Sequence, residues 1–223
     1  MDFPYKKNIL SIEQDIKDFD IDNKIRLIIV TKSQTIDQIN KVIGYGYKTF
    51  AENYVDEAIK KIKQINDDTN EWHFIGKIQS NKIKNIVEYF NWVQTISSTK
   101  HAEKINEESK KRSKLINACI QINIDNEHTK SGLDISDIDD FAEYITSLSN
   151  IKFRGIMAIP SKANALDAKE NSYAMLNSTY KKLRLKYNTV DTLSIGMSND
   201  YKIALKNGSN MIRIGTLIFG ERN

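Results

Sequence analysis

A single (β/α)8 TIM barrel with an extra N-terminal helix is the fold this sequence predicts, an α/β class resting on three observations. Eight short runs rich in β-branched and aromatic residues recur along the chain, each separated from the next by apolar residues at helical spacing. No linker rich in proline, glycine or serine interrupts the 223 residues, of which 40% are hydrophobic, so one core is expected over 1–223. The glycine fingerprint that follows the first strand of a doubly wound open sheet is absent, which makes that fold the alternative.

The elements follow in order. A helix over about Tyr5 to Phe19 precedes the first strand, Ile25 to Lys32, a β-branched run suited to a buried parallel strand. Thr35 as N-cap and Gln38 as its reciprocal partner form a capping box for the next helix, whose Ile36, Ile39, Val42 and Ile43 share a face and which stops near Gly44 and Gly46. Lys48 to Ala51 is the second strand. Asn53 then caps a helix striped by Val55, Ala58, Ile59 and Ile62. Trp72 to Gly76 and a helix over about Ser80 to Phe90 come next, then Trp92 to Ile96 with a charged helix over about Thr99 to Ser113. The fifth strand, Ile116 to Ile124, leads through the loop 126–132 to a helix over about Ser136 to Ser147. Lys152 to Ile159, closed by Pro160, is the sixth. The long helix after it carries Tyr173, Leu176, Tyr180, Leu183 and Tyr187 at core-packing spacing. Thr192 to Gly196 and Met211 to Gly215 complete the eight, with helices over about Asn199 to Lys206 and Leu217 to Phe219.

Charge narrows the function. Lys60, Lys61 and Lys63 are followed by Asp67 and Asp68, and Lys110, Lys111, Arg112 and Lys114 follow Glu107 and Glu108. Such mixed runs are solvated helix faces rather than a phosphate track, so a net charge of +4 does not indicate nucleic acid. No apolar stretch reaches membrane length, and Met1 to Lys7 lacks a signal-peptide core. The single Cys119, inside an apolar run, fits a buried filler in a reducing compartment. A cytoplasmic protein without membrane or nucleic-acid partner, and without a metal site, is expected.

The barrel brings the strand ends Lys32, Asn53, Gly76, Met157, Gly196 and Gly215 to one mouth. Lys32 sits where a strand meets a helix; there a partly desolvated amine is a nucleophile toward carbonyls, although most lysines only solvate a surface. Gly196-Met197-Ser198 and Gly215-Thr216 each open a helix after strands seven and eight, where barrels commonly hold phosphate, unless these are ordinary strand ends and caps. Alternation places Arg213 opposite Ile212 and Ile214, so it either contacts a ligand or pairs with a carboxylate such as Glu52. An amine for a carbonyl, a phosphate cradle and a fixed cation together describe pyridoxal 5′-phosphate (PLP).

Val30-Thr31-Lys32, Phe50-Ala51-Glu52-Asn53-Tyr54, Trp72-His73-Phe74-Ile75-Gly76 with Gln79 to Lys82, Gln121-Ile122-Asn123 with Lys130-Ser131-Gly132, Gly155 to Pro160, Leu193 to Ser198, and Arg213-Ile214-Gly215-Thr216 with Ile218-Phe219-Gly220 lie in an order that resembles the YggS/PROSC family of PLP homeostasis proteins. The resemblance runs from about Lys24 to Gly220, with Thr31 where serine is usual and Thr35 in a turn where proline is. It implies a barrel like the N-terminal domain of alanine racemase, with Lys32 holding PLP as a Schiff base. It further implies that Met197, Ser198, Gly215 and Thr216 hold the phosphate, that Arg213 faces the pyridine nitrogen and that Asn53 and Met157 lie near the ring. His73 is either a ligand or a structural residue.

An arginine keeps its proton, so a pyridine nitrogen facing it stays unprotonated and the cofactor withdraws electrons poorly. The chain ends just after the eighth strand, without the β domain that completes the related racemases. A monomer that buffers or delivers PLP, with PLP-dependent apoenzymes as acceptors and little or no turnover, is the implied function. A fold-type III enzyme such as an amino-acid racemase, or a Schiff-base aldolase, is the alternative. Lys130 is a candidate for transient receipt of PLP during release.

Overall fold

The computed structural model describes residues 4–19, 24–125, 131–160 and 171–221. Eight parallel strands close into a barrel in sequence order: β1 (Arg26–Val30), β2 (Thr49–Glu52), β3 (Glu71–Phe74), β4 (Trp92–Ile96), β5 (Ile116–Ile122), β6 (Ile151–Ala158), β7 (Thr192–Ser194) and β8 (Met211–Ile214). The last strand returns to the first in the register Arg26↔Met211 to Ile29↔Ile214. Around them lie α1 (Pro4–Lys17), α2 (Ile36–Gly44), α3 (Val55–Ile65), α4 (Ile83–Tyr89), α5 (Thr99–Lys111), α6 (Ile138–Thr146), α7 (Asn171–Lys186), α8 (Tyr201–Lys206) and the single-turn α9 (Thr216–Phe219). Among the described residues no helix is long and apolar enough to cross a membrane. The Lys130 expectation lies outside the described residues.

Alternation along each strand sorts the core into two shells. Ile29, Phe50, Phe74, Ile156, Ile212 and Ile214 face the helices. Ile28, Val30, Ala51, Trp92, Cys119, Met157 and Met211 fill the barrel interior. Tyr173, Leu176, Tyr180 and Leu183 are buried, as core packing requires. Cys119 is wholly buried in the interior, and burial pushes its thiol up to about 12, so it fills space and is no nucleophile. The Thr35 and Gln38 capping box forms in both directions. Two local expectations fail. The α3 N-cap position is Tyr54, with no side-chain cap, rather than Asn53. Lys60 and Lys63 are solvated as expected, but Lys61 is 5% exposed and turns inward.

A polar thread crosses this interior. At the N-terminal end of the strands Glu71 pairs with Arg26 and accepts from His73 Nε2 at 2.8 Å and Trp92 Nε1 at 3.0 Å. His73 stacks on Trp92 and its Nδ1 accepts from Gln94 Nε2 at 2.8 Å. Gln94 Oε1 accepts from Ser194 Oγ at 2.7 Å, and Ser194 Oγ accepts from Arg213 Nη1 at 2.6 Å. His73 is therefore a structural residue of the floor.

Burial holds the His73 imidazole down at about 4. Burial raises Glu71, but hydrogen bonds and charges from His73, Arg26 and Trp92 outweigh it and hold the carboxyl at about 2. In both cases the unfolded chain binds the proton more readily, His73 between about 6.5 and 4 and Glu71 between about 4.5 and 2. Stability is thus fully present above pH 6.5 and falls as pH drops through those windows. Urea unfolding at a series of pH values should show this decline, and His73→Gln should flatten it between pH 6.5 and 4.

Gly155 sits at the irregularity where β5 and β6 shift register, with φ of +143°. A Cβ there would lie 1.9 Å from the Thr192 carbonyl oxygen of β7, a backbone atom that cannot turn aside. Gly155→Ala is expected to destabilise the fold by about 3 kcal/mol or more. Chemical denaturation would check this.

Candidate functional site

At the C-terminal end of the strands a cavity of about 330 Å³ opens, lined by Lys32, Asn53, Met197, Ser198, Asn199, Arg213, Gly215, Thr216 and Glu221, with Val30, Ile75 and Ile159 as its apolar wall. The barrel thus brings together seven of the residues expected there. Met157 is the exception, since it is wholly buried in the interior cluster and is not among the lining residues. Asn199 and Glu221, both exposed, were not legible as lining residues, because loop positions follow no strand or helix period.

Lys32 lies two residues past the end of β1 and is half-buried, between a wholly buried Thr31 and an exposed Ser33. Asn53 enters the lining because its backbone runs close beneath Gly76, where a Cβ would lie 1.9 Å from the Asn53 carbonyl oxygen. Its Oδ1 is buried and meets no hydrogen-bond donor among the described residues, so an unsatisfied acceptor belongs to a residue that lines the cavity.

Arg213 is 2% exposed. Its Nη1 donates to the Ser194 carbonyl at 2.7 Å and to Ser194 Oγ, and its Nη2 donates to the Ala158 carbonyl at 3.0 Å. The pairing with Glu52 does not occur. Alternation explains why: Ala51 points into the barrel, so Glu52 points to the outer shell, where it meets Lys61 at 2.7 Å and the Thr31 hydroxyl at 2.7 Å. The Arg213 guanidinium therefore has carbonyls and a hydroxyl around it but no carboxylate in contact among the described residues. Burial lowers it to about 10, so it stays charged.

The loop after β7 is fixed by Asp200, itself buried, which accepts from the Met197 N–H at 2.6 Å and from the Tyr173 hydroxyl at 2.6 Å. Gly196 has φ of +100°, and a Cβ there would press on Ala204 at 2.7 Å. Only glycine lets this loop close against α8. The Leu217 N–H at the start of α9 donates to Ser198 Oγ at 3.3 Å, which joins the β7 and β8 loops. Gly215 brings its backbone against β1, with Val30 O 3.1 Å from the place a Cβ would take. The result is a cup of backbone and small side chains facing an amine and a buried cation.

This donor set fits a phosphorylated aldehyde that carries a ring acceptor. The amine suits the aldehyde, the two short loops suit a dianion, and the guanidinium without a carboxylate suits a neutral acceptor or an anion.

Residues 11–223 match the family described as alanine racemase, N-terminal domain. The pyridoxal phosphate homeostasis protein of Buchnera aphidicola subsp. Schizaphis graminum is 44% identical over 197 residues, 88% of this chain and 86% of that protein. Its counterpart in Pasteurella multocida is 38% identical over 206 residues, 91% of this chain and 88% of that protein. Among solved structures, PipY of Synechococcus elongatus PCC7942 with PLP bound superposes with a TM-score of 0.86 at 26% identity, covering 97% of this chain and 100% of PipY.

Proposed function

We infer, from the premise that this chain belongs to the pyridoxal phosphate homeostasis proteins and to the alanine racemase N-terminal domain family, that it binds PLP and buffers or delivers it. PLP supplies an aldehyde that condenses reversibly with a primary amine. Lys32 offers that amine. Met197, Ser198, Gly215 and Thr216 bind the phosphate through the loops after β7 and β8, and Asn53 orients the ring from the side of β2. Arg213 donates to the ring nitrogen and keeps it from taking a proton, which favours holding the cofactor over turning a substrate over. Met157, wholly buried in the barrel interior, lies near the ring from beneath.

The observation that carries this reading is Arg213, a buried guanidinium in contact with no carboxylate among the described residues, set in the same cavity as Lys32. The chain acts as a monomer in this reading, and apoenzymes that need PLP are the acceptors. The wholly buried lone thiol of Cys119 suits a reducing cytoplasm. Titrating the protein with PLP should give a visible absorbance band. Borohydride reduction followed by peptide mapping should place one adduct on Lys32. An adduct spread over surface lysines would overturn the reading.

A further inference from the structure

We propose that Lys61 and Glu57 of α3 act as a clamp that positions Lys32, because together they hold the peptide groups on both sides of it. The proposal rests on the reading of Lys32 as the residue that holds PLP. Lys61 Nζ donates to the Thr31 carbonyl at 2.6 Å, to Glu52 Oε1 at 2.7 Å and to Glu57 Oε1 at 2.5 Å. These three acceptors match the three protons of an ammonium. Glu57 Oε1 also accepts from the Ser33 N–H at 2.6 Å. The residue before Lys32 is thus held by the cation and the residue after it by the anion that the same cation neutralises.

The backbone needs such a hold. Ser33 has φ of +62°, a left-handed conformation that costs a side-chain-bearing residue about 1–2 kcal/mol. The turn is closed by the Gln34 N–H on the Thr31 carbonyl at 3.0 Å, and the Thr31 hydroxyl donates to Glu52 Oε1. Apart from the turn's own bond, these flanking contacts lead back to α3 or to the end of β2.

Stability alone is a poor reason for this arrangement. The side chains of Lys61 and Glu52 are 7% and 0% exposed, and removing two charges from water costs about as much as their attraction returns. Burial raises the Glu52 carboxyl despite Lys61 and Thr31 beside it, and Glu52 Oε2 has no partner among the described residues. Apolar residues would pack this gap between barrel and helix without that cost. What they could not do is bind the Thr31 carbonyl and neutralise the carboxylate that holds Ser33.

Three variants test the clamp. Glu57→Ala alters a side chain still 31% exposed and so spares the core. Glu57→Gln keeps an acceptor for Ser33, and the double variant Glu52→Gln with Lys61→Met removes both buried charges together. Each is measured for Ser33 amide exchange without PLP, for PLP release from the loaded protein on dilution, and for melting temperature. The expected result for Glu57→Ala is Ser33 exchange and PLP release both faster by about tenfold or more, the equivalent of one lost hydrogen bond to a charged group. Melting should change little, and Glu57→Gln should restore most of the retention. The double variant should also release PLP faster. Wild-type release rates in Glu57→Ala and in the double variant, whatever happens to melting, would overturn the proposal, as would unchanged Ser33 exchange in Glu57→Ala. Failure of the wild type to take up PLP on Lys32 would instead overturn the reading beneath it, and the exchange measurement separates the two cases.

Discussion

Lys32→Ala is expected to remove the borohydride-stable PLP adduct altogether, from near one per chain to background, and to abolish the visible absorbance band. Among the described residues Lys32 is the one amine lining the cavity that also contains Arg213 and the two glycine-bearing loops. Among the described residues no neighbouring lysine can replace it there. Lys77 is exposed and lines a separate part of the mouth beside Gln121 and Asn123, and Lys61 is fully engaged behind β1. The fold should survive, since Lys32 is half-buried and follows β1 rather than packing in it. Lys60→Ala, on the solvated side of α3, is the matched control and should load normally. Mass spectrometry of the reduced proteins decides the matter, and a full adduct on the Lys32→Ala protein would refute the assignment.

Arg213→Met is expected to weaken PLP binding by about 10- to 100-fold, the worth of one hydrogen bond from a charged donor, while leaving Lys32 able to form the adduct at high PLP. Its effect on the protein alone should be smaller than so buried a charge suggests. Removing one member of a buried ion pair strands its partner, but Arg213 contacts no carboxylate, and the acceptors it leaves are two carbonyls and a hydroxyl. Losing a desolvated cation offsets part of the lost hydrogen bonding. A change of about 2 kcal/mol or less in unfolding free energy is the expectation. Comparing PLP titration with urea unfolding on the same variant separates the two effects. Wild-type affinity for PLP would show that the guanidinium serves the barrel alone.

Where chemistry follows local rules, the sequence and the structure agree. Thr35 and Gln38 cap α2, and the period of two turns Arg213 inward, while β1 stops at Val30, two residues short of the expected end at Lys32. The glycine steps at 196 and 215 do lie together, because strands seven and eight are neighbours. The Glu52 pairing fails by that same period of two, which places Glu52 outside once Ala51 is inside. Asparagine is a residue type that favours caps, yet at Asn53 the close passage of Gly76 sets the backbone, and that is a contact between distant segments. The depth of Met157 and His73 depends on how far strands are staggered around the ring, which no single strand reveals. Lys61 shows the limit of charge patterning: its neighbours Lys60 and Lys63 are solvated, and the outer-face placement of Glu52, with the Thr31 carbonyl beside it, draws it inward.

The thread from Glu71 through His73, Gln94 and Ser194 to Arg213 has a consequence for proton traffic. One end is an ionised carboxylate, which can only accept, and the other is a guanidinium, which can only donate. Every hydrogen in between must therefore point the same way along the axis, toward Glu71. Turning the Gln94 amide over would set donor against donor at Ser194 and acceptor against acceptor at His73. The column is a brace of fixed polarity rather than a relay: a proton cannot hop along it from the mouth side to the barrel floor without reversing every one of its hydrogen bonds.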